Sequence, residues 1–280
     1  MGGTAELASM TDRHNSSFLL YGGSVRLTFD QLRHGYFVQT RNKGAGSEWS
    51  PVEIVPSATT ILRVIAKDAL VQWSANCAVE YVQQHIDKQW QYDEIRLNEI
   101  LREAKYAHRR KAQQACDIGT LVHNWVEELI TSGNPPEYPA NIQAANSCSA
   151  AYHWICSHDF TPLNTEMCLY SKKHGYAGKL DQTYSISTVN GHRCIVDWKT
   201  SKAVYPEYRL QAAAYAKAYT EQTGIEVLDR WIIRLDKDTG MVDPVHLHRN
   251  TLVPDFKAFL AARTLYARLK EIQDVPGMTD

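Results

Sequence analysis

The sequence lacks the features that mark membrane proteins, secreted proteins and cysteine-bound metal centres. No run of 18 apolar residues occurs in its 280 residues, so we expect no membrane span and no membrane partner. No two of the six cysteines have CxxC spacing, which argues against zinc and iron–sulfur sites and favours reduced, mostly buried thiols. The first 17 residues contain no apolar core of signal-peptide length. We therefore expect a cytoplasmic protein.

An excess of positive charge is also absent. The formal net charge is -1, and the hydrophobic fraction of 44% is that of an ordinary globular protein. A protein that coats nucleic acid without sequence preference is usually strongly basic. Any contact with nucleic acid must therefore be confined to a groove with its own positive charge.

Hydrophobic periodicity divides the chain into three segments without repeats or low-complexity linkers. Residues 1–56 predict an extension with short strands, and residues 57–116 predict helices. Residues 117–280 predict strands and helices in alternation, beginning with a helix that has Asp117 as its N-cap and ends at Gly133. We expect one compact unit of α/β or α+β class, with a central mixed sheet flanked by helices.

Asp197 and Lys199 are the first candidates for chemistry. They lie two residues apart on a predicted strand, so both side chains point to one face of the sheet. A carboxylate can hold a hard cation, and a neighbouring ammonium can stabilise negative charge. Asp181 lies in the preceding predicted strand, GKLDQTYSIS, and could supply a second carboxylate.

The turn between these two strands decides where Asp181 points. A two-residue loop at Asn190-Gly191 would turn the Asp181 side chain away from Asp197. A three-residue loop that includes Val189 would place Asp181 diagonal to Asp197 on one face, at about 7–8 Å. We predict the bulge or odd-length turn, because it brings both carboxylates within reach of one cation.

Two predicted helices could contribute further polar groups. Gln211 and Tyr215 lie at i, i+4 and share a helix face, where they could hold a phosphate, the lysine or a base. His123 could complete a metal shell, which would favour manganese alongside magnesium. Glu127 lies one turn after His123.

Four short motifs in order resemble those of the RecB-like branch of the PD-(D/E)XK nuclease superfamily. They are GTLVH (119–123), GKLD (178–181), DWK (197–199) and QAAAY (211–215), which together span about residues 117–220. Each motif alone is weak, whereas the ordered set is specific. Leu180 stands where the superfamily pattern has proline, and the four-cysteine iron–sulfur clamp of some relatives is absent.

The resemblance implies a restriction-endonuclease-like core with an N-terminal β/helical extension. It also implies one or two Mg²⁺ or Mn²⁺ ions and no iron–sulfur cluster. The implied metal ligands are His123, Asp181, Asp197 and the backbone carbonyl of Trp198. Lys199 would orient or activate the attacking water, and Gln211 and Tyr215 would contact DNA or brace the site.

By the same resemblance, we expect a phage-type exonuclease that hydrolyses linear DNA, single- or double-stranded, in recombination, repair or genome processing. Residues 57–116 could arch over the site. The expected location includes the cytoplasm of a phage-infected host, and a homo-oligomer or a recombination partner protein would fit. Two alternatives stay open: a structure-specific endonuclease, and a non-catalytic DNA-binding module on a nuclease fold.

Several charged residues have both a functional and a structural interpretation. Glu127 and Glu166 could hold the metal ligands in position, although glutamates at such positions are more often solvated side chains. Arg109, Arg110 and Lys111 could follow a phosphate backbone or form an ordinary charged helix face. Lys172 and Lys173 could line a DNA groove. The segment DKDTG (236–240) resembles half of a calcium loop, and we interpret it as a turn.

Overall fold

The structure is a computed structural model that describes residues 15–33, 35–42, 48–65, 68–86, 94–164, 167–180 and 184–273. Its strands are β1 (Asn15–Leu20), β2 (Val25–Asp30), β3 (Gly35–Thr40), β4 (Glu53–Val55), β5 (Phe160–Asn164), β6 (Met167–Ser171), β7 (Tyr176–Leu180), β8 (Tyr184–Val189), β9 (His192–Lys199), β10 (Asp229–Leu235) and β11 (Val242–Leu247). Its helices are α1 (Ala58–Leu62), α2 (Asp68–His85), α3 (Glu94–Ala104), α4 (Ala107–Ser132), α5 (Ile142–Ser157), α6 (Pro206–Thr223) and α7 (Leu252–Gln273), with a short 3₁₀ turn at Arg249–Thr251.

A five-stranded sheet forms the centre of the fold, in the order β11-β10-β9-β8-β5. The pair β9–β10 is parallel and the other pairs are antiparallel, which confirms the predicted mixed sheet of an α/β protein. Strand β9 is buried on both faces. Val196 and Trp198 pack with residues of α4 and α5, whereas Ile195 packs with residues of α1, α6 and α7.

The N-terminal strands form a separate antiparallel sheet, in the order β1-β2-β3-β4. Its apolar side chains, including Leu27 and Val38, pack against the β6–β7 hairpin at Tyr170 and Ala177. The predicted short strands of the extension are therefore confirmed. The backbone N–H of Ala177 donates to Pro56 O at 3.0 Å, which fixes the start of α1 beside β7.

Several of the described helix ends follow local sequence signals, and one predicted helix start is wrong. The Ser57 hydroxyl accepts from Thr60 N at 2.9 Å and caps α1, and Gly133 ends α4 in the left-handed conformation. The prediction that Asp117 begins a helix is wrong, because α4 runs without a break from Ala107 to Ser132. The Asp117 carboxylate instead accepts from Gln113 Nε2 at 2.8 Å, an i, i+4 contact that supports the helix. The predicted segment boundary at residue 116 falls inside α4.

The turn between β8 and β9 has two residues, so the predicted three-residue loop or bulge is wrong. Val189 pairs with His192, and both turn residues have positive φ, 50° at Asn190 and 78° at Gly191. Such a turn matches the twist of the paired strands, which explains why Asn-Gly takes it without a bulge. The segment GKLDQTYSIS is also two strands rather than one: β7 ends at Leu180 and β8 begins at Tyr184.

Asp181 lies outside the described residues. The described ladder between β8 and β9 ends at the pair Tyr184–Asp197. The register of this hairpin therefore does not decide where Asp181 points, contrary to the assumption behind the predicted bulge.

Strand β5 was not predicted. It is the edge strand of the central sheet, and its pairing with β8 shifts register between Pro162 and Asn164. Proline lacks the N–H that a central strand needs, which confines it to edges and bulges and weakens the sequence signal for a strand.

The cysteines behave as predicted, and the helices carry no membrane signal. All six cysteines are free thiols, and those at 77, 148, 168 and 194 are buried. Burial raises the pKa of both Cys148 and Cys194 to about 12, so these two groups remain protonated at neutral pH.

Within the described ranges, no helix is both long and apolar enough to cross a bilayer.

Candidate active site

Asp197 and Lys199 form an ion pair near the C-terminal end of β9. The Lys199 Nζ lies 2.6 Å from Asp197 Oδ1, which confirms the prediction that the two side chains share a face. The Asp197 side chain has no exposed surface, and that of Lys199 is 14% exposed. A buried carboxylate is stable only when charge or hydrogen bonds compensate it, so the ammonium has a structural as well as a chemical effect.

Tyr208 on α6 covers the lysine from the other side. The Lys199 Nζ lies 4.8 Å from the centre of the Tyr208 ring, within the range of a cation–π contact. Burial raises the pKa of Tyr208, with a further contribution from the Asp197 charge, so its hydroxyl stays protonated. The sequence interpretation missed this residue, although Tyr208, Gln211 and Tyr215 have the i, i+3, i+7 spacing of one helix face.

His123 reaches the same strand end from α4. Its Nε2 lies 3.2 Å from the carbonyl oxygen of Trp198, the residue between Asp197 and Lys199. Gly119, one turn earlier on α4, faces the same strand end, since a Cβ there would lie 3.4 Å from Thr200 Oγ1, an ordinary contact distance. Two groups of the predicted ligand set therefore lie together.

Gln211 and Tyr215 are inside the protein rather than on the helix surface. The Gln211 Nε2 donates to Thr59 Oγ1 at 2.9 Å and to the Tyr215 hydroxyl at 3.2 Å. A Cβ at Gly178 would overlap the Tyr215 ring, so glycine is needed where β7 crosses α6. These contacts join α1, α6 and β7, and they favour bracing over direct DNA contact. Thr59 was not predicted as part of the site.

The donor set fits a divalent cation. In an octahedral shell with bonds of about 2.1 Å, adjacent ligand atoms lie roughly 3.0 Å apart. The 3.2 Å between His123 Nε2 and Trp198 O is close to that separation. The carboxylate of Asp197, the residue before Trp198, supplies the negative charge that such a cation requires.

Of the two carboxylates expected to support the metal ligands, Glu127 lies within the described residues. Glu127 is half-buried on α4, one turn after His123, as its spacing predicts. Glu166, like Asp181, lies outside the described residues.

The basic run on α4 makes ion pairs with neighbouring helices. Arg110 Nη1 lies 2.9 Å from Glu103 Oε2 on α3, and Lys111 pairs with Glu80 on α2. The Arg109 guanidinium lies 5.1 Å from the centre of the Tyr106 ring. For Arg110 and Lys111, the interpretation as a charged helix face that ties α2 and α3 to α4 is the better supported.

Lys172 and Lys173 are exposed in the turn between β6 and β7. This turn is at the opposite end of β7 from Leu180, about 14 Å away along the strand. Glu221 on α6 holds it, since its Oε1 accepts from Lys173 N at 2.8 Å. The two lysines therefore lie at the end of β7 remote from the segment that leads to Asp181.

A scan against protein-family models and a search of curated proteins each give no match to this chain.

Proposed function

We propose that this protein is a metal-dependent DNA nuclease with a restriction-endonuclease-like core. One observation carries the proposal: His123 Nε2 and the Trp198 carbonyl oxygen converge at 3.2 Å beside the buried Asp197–Lys199 pair. The order of the four sequence motifs points to the same chemistry.

In this proposal, His123, Asp197 and the Trp198 carbonyl hold a Mg²⁺ or Mn²⁺ ion, with Asp181 as a further ligand. A divalent cation bound there would neutralise phosphate oxygens and lower the pKa of water. Lys199 adds fixed positive charge where the phosphate gains negative charge during hydrolysis. Its contacts with Asp197 and Tyr208 hold the ammonium in place.

Gln211 and Tyr215 keep the two halves of the site in position. Both are almost completely buried, and the bond from Gln211 to Thr59 links α6 to α1. Because α1 also contacts β7, this link holds the segment that leads to Asp181 against the segment that carries Lys199. We therefore propose a positioning role for Gln211 and Tyr215.

The proposed substrate is linear DNA, and the proposed reaction is exonucleolytic, in recombination, repair or phage genome processing. The helices α2 and α3, tied to α4 by the ion pairs of Lys111 and Arg110, would cover the approach to the site. A structure-specific endonuclease is the second candidate function. The proposal also includes assembly of the protein as a homo-oligomer or with a recombination partner protein.

The proposal is tested by incubating 5′- and 3′-end-labelled linear DNA and a closed circle with the protein in Mg²⁺, Mn²⁺ or EDTA. We expect loss of linear DNA with either ion and none with EDTA. Cutting of the circle would favour the endonuclease. No metal-dependent loss of any single- or double-stranded substrate would overturn nuclease function and favour a DNA-binding module.

Point variants assign the activity to this site. Asp197→Ala and Lys199→Ala should each lower the cleavage rate about 100-fold or more, because the first removes a ligand of the ion and the second removes positive charge at the reacting phosphate. Lys257→Ala, an exposed lysine on α7, is the matched control and should cleave at the normal rate. Full activity of either site variant would refute the assignment.

A further inference from the structure

Asp229, His246 and His248 form a second cluster of metal-binding side chains, away from the candidate active site. Along β10, Ile232 pairs with Asp197, and Asp229 pairs with Cys194 at the other end of β9. Three residues of strand separate the two positions, about 10 Å. The cluster is therefore distinct from the Asp197–Lys199 pair.

Strand register explains why the three side chains meet. Trp231 pairs with His246 and Arg230 with Leu247, so the same antiparallel register places His248 opposite Asp229. Alternate residues of a strand share a face, which puts Asp229, His246 and His248 on one side of the β10–β11 pair. This is also the face of Trp231, which packs with the residues of α4 and α5.

The distances are those of a cluster that can close on one ion. Asp229 Oδ1 lies 3.5 Å from His246 Nε2, and the rings of His246 and His248 are 4.1 Å apart. One ligand atom from each of the three residues lies within 4.8 Å of the other two. Ligands of a tetrahedral zinc ion with bonds of about 2.0–2.1 Å are roughly 3.3 Å apart. His248 is the most exposed of the three side chains, so rotation of its ring is the movement that would close the cluster on an ion.

The surroundings hold two of the three side chains in place. Asp229 is 9% exposed, and the His246 ring stacks on Trp231 with 4.3 Å between centres and 5° between planes. Trp231 itself packs edge-on against the buried Trp154 of α5. A ring oriented by stacking loses little further freedom when it binds an ion.

We propose that Asp229, His246 and His248 form a binding site for Zn²⁺ or a similar transition-metal ion, which clips the edge strand β11 to β10. Two imidazoles and one carboxylate suit zinc, whereas magnesium and calcium prefer all-oxygen ligands. Three protein ligands leave a fourth position for water. This site is independent of the proposed nuclease function.

The test uses tag-free protein with Asp197→Ala, so that a cation at the candidate active site does not contribute. Co²⁺ is titrated and its visible absorption is followed, and Zn²⁺ is then added in competition. We expect one ion per chain, displaced by Zn²⁺, and an upward shift of the unfolding temperature when Zn²⁺ is present.

Ligand variants in the same background locate the ion. Loss of a group that only orients a ligand typically weakens metal binding 10- to 100-fold, so His248→Ala and His246→Ala should each raise the Kd at least about tenfold. His153→Ala removes an exposed histidine of α5 and should change nothing. His248 is exposed, so its variant should fold normally. Unchanged Zn²⁺ affinity in His248→Ala, or no binding before substitution, would overturn the proposal.

Discussion

The Nε2 of His123 on α4 lies 3.2 Å from the carbonyl oxygen of Trp198 on β9. As a hydrogen bond, this contact requires the tautomer that carries the proton on Nε2, which donates to the carbonyl. As a pair of metal ligands, it requires the opposite tautomer, because a ring nitrogen must be unprotonated to bind a cation. The same two atoms therefore define two states that can be distinguished.

We expect Mn²⁺ to switch this tautomer and His123→Ala to weaken Mn²⁺ binding about 10-fold or more. Nitrogen NMR of the histidine rings can follow the switch with diamagnetic Mg²⁺ or Zn²⁺, and calorimetry gives the Mn²⁺ affinity. His153→Ala should leave the affinity unchanged. His123 is only a structural hydrogen-bond donor if the cation leaves its tautomer unchanged and His123→Ala leaves the Mn²⁺ affinity unchanged.

Replacing Lys199 should destabilise the fold more than replacing Asp197, its partner in the ion pair. Lys199→Met leaves a fully buried carboxylate without its ammonium, and we expect it to lower the free energy of unfolding by about 3 kcal/mol in EDTA. Asp197→Asn should cost less, because the partly exposed ammonium can reach water. The double variant should recover part of the Lys199→Met loss.

Urea unfolding of the four proteins measures this cycle. A double variant as unstable as the sum of the two would show that the pair is not coupled through charge, and equal losses in the single variants would contradict the expected asymmetry.

Strand period and helix spacing were enough to predict the contacts inside single elements. Asp197 and Lys199 share a face because they lie two apart on a strand, and Gln211 contacts Tyr215 because they lie four apart on a helix. The mixed sheet followed from the alternation of strand and helix patterns. None of these inferences required knowledge of long-range packing.

Contacts between elements were harder to predict, because local signals do not carry them. Asp117 is a good N-cap residue, and the main buried face of α4 begins just after it at Ile118. The helix nevertheless extends upstream of Asp117, because ion pairs of Arg110 and Lys111 hold its first turns against α3 and α2, so tertiary contacts prevail over the capping preference. The predicted length of the Asn190-Gly191 turn is wrong because that prediction rests on where Asp181 should point and not on the turn preference of Asn-Gly itself. Thr59 reaches Gln211 across 152 residues, and no sequence pattern in a single chain encodes that pair.

Gly178 should be intolerant of a side chain because of Tyr215. A Cβ at this position would overlap the Tyr215 ring, so Gly178→Ala should destabilise the fold by about 1–3 kcal/mol, the usual range for overpacking. If the clash is the cause, Tyr215→Leu should reduce the loss in the double variant, since the smaller side chain leaves room.

Thermal unfolding of the two single variants and the double variant tests this coupling. Additive losses would show that the contact with Tyr215 is not the cause of the Gly178→Ala loss.

Asp236 organises the turn between β10 and β11, the segment that resembles half of a calcium loop. Its Oδ1 accepts from the backbone N–H groups of Asp238 at 3.0 Å and Thr239 at 2.9 Å, and its Oδ2 accepts from Arg234 Nη1 at 3.0 Å. The Thr239 N–H has the largest effect and the Arg234 guanidinium the next, and together they lower the pKa of Asp236 below its usual value.

A carboxyl group with a lowered pKa contributes stability above its unfolded-state pKa, near 3.9, and loses that contribution as the pH falls towards the folded-state value. Asp236→Asn should therefore lower the free energy of unfolding by about 1 kcal/mol at pH 7, with the difference from the unmodified protein shrinking below about pH 4. Asp243→Asn is the matched control, because Asp243 is more exposed and contacts the same guanidinium through Nε at 3.1 Å; we expect a smaller loss. Urea unfolding across pH 3–7 measures both, and a pH-independent Asp236→Asn difference would show that the charge of Asp236 does not stabilise the turn.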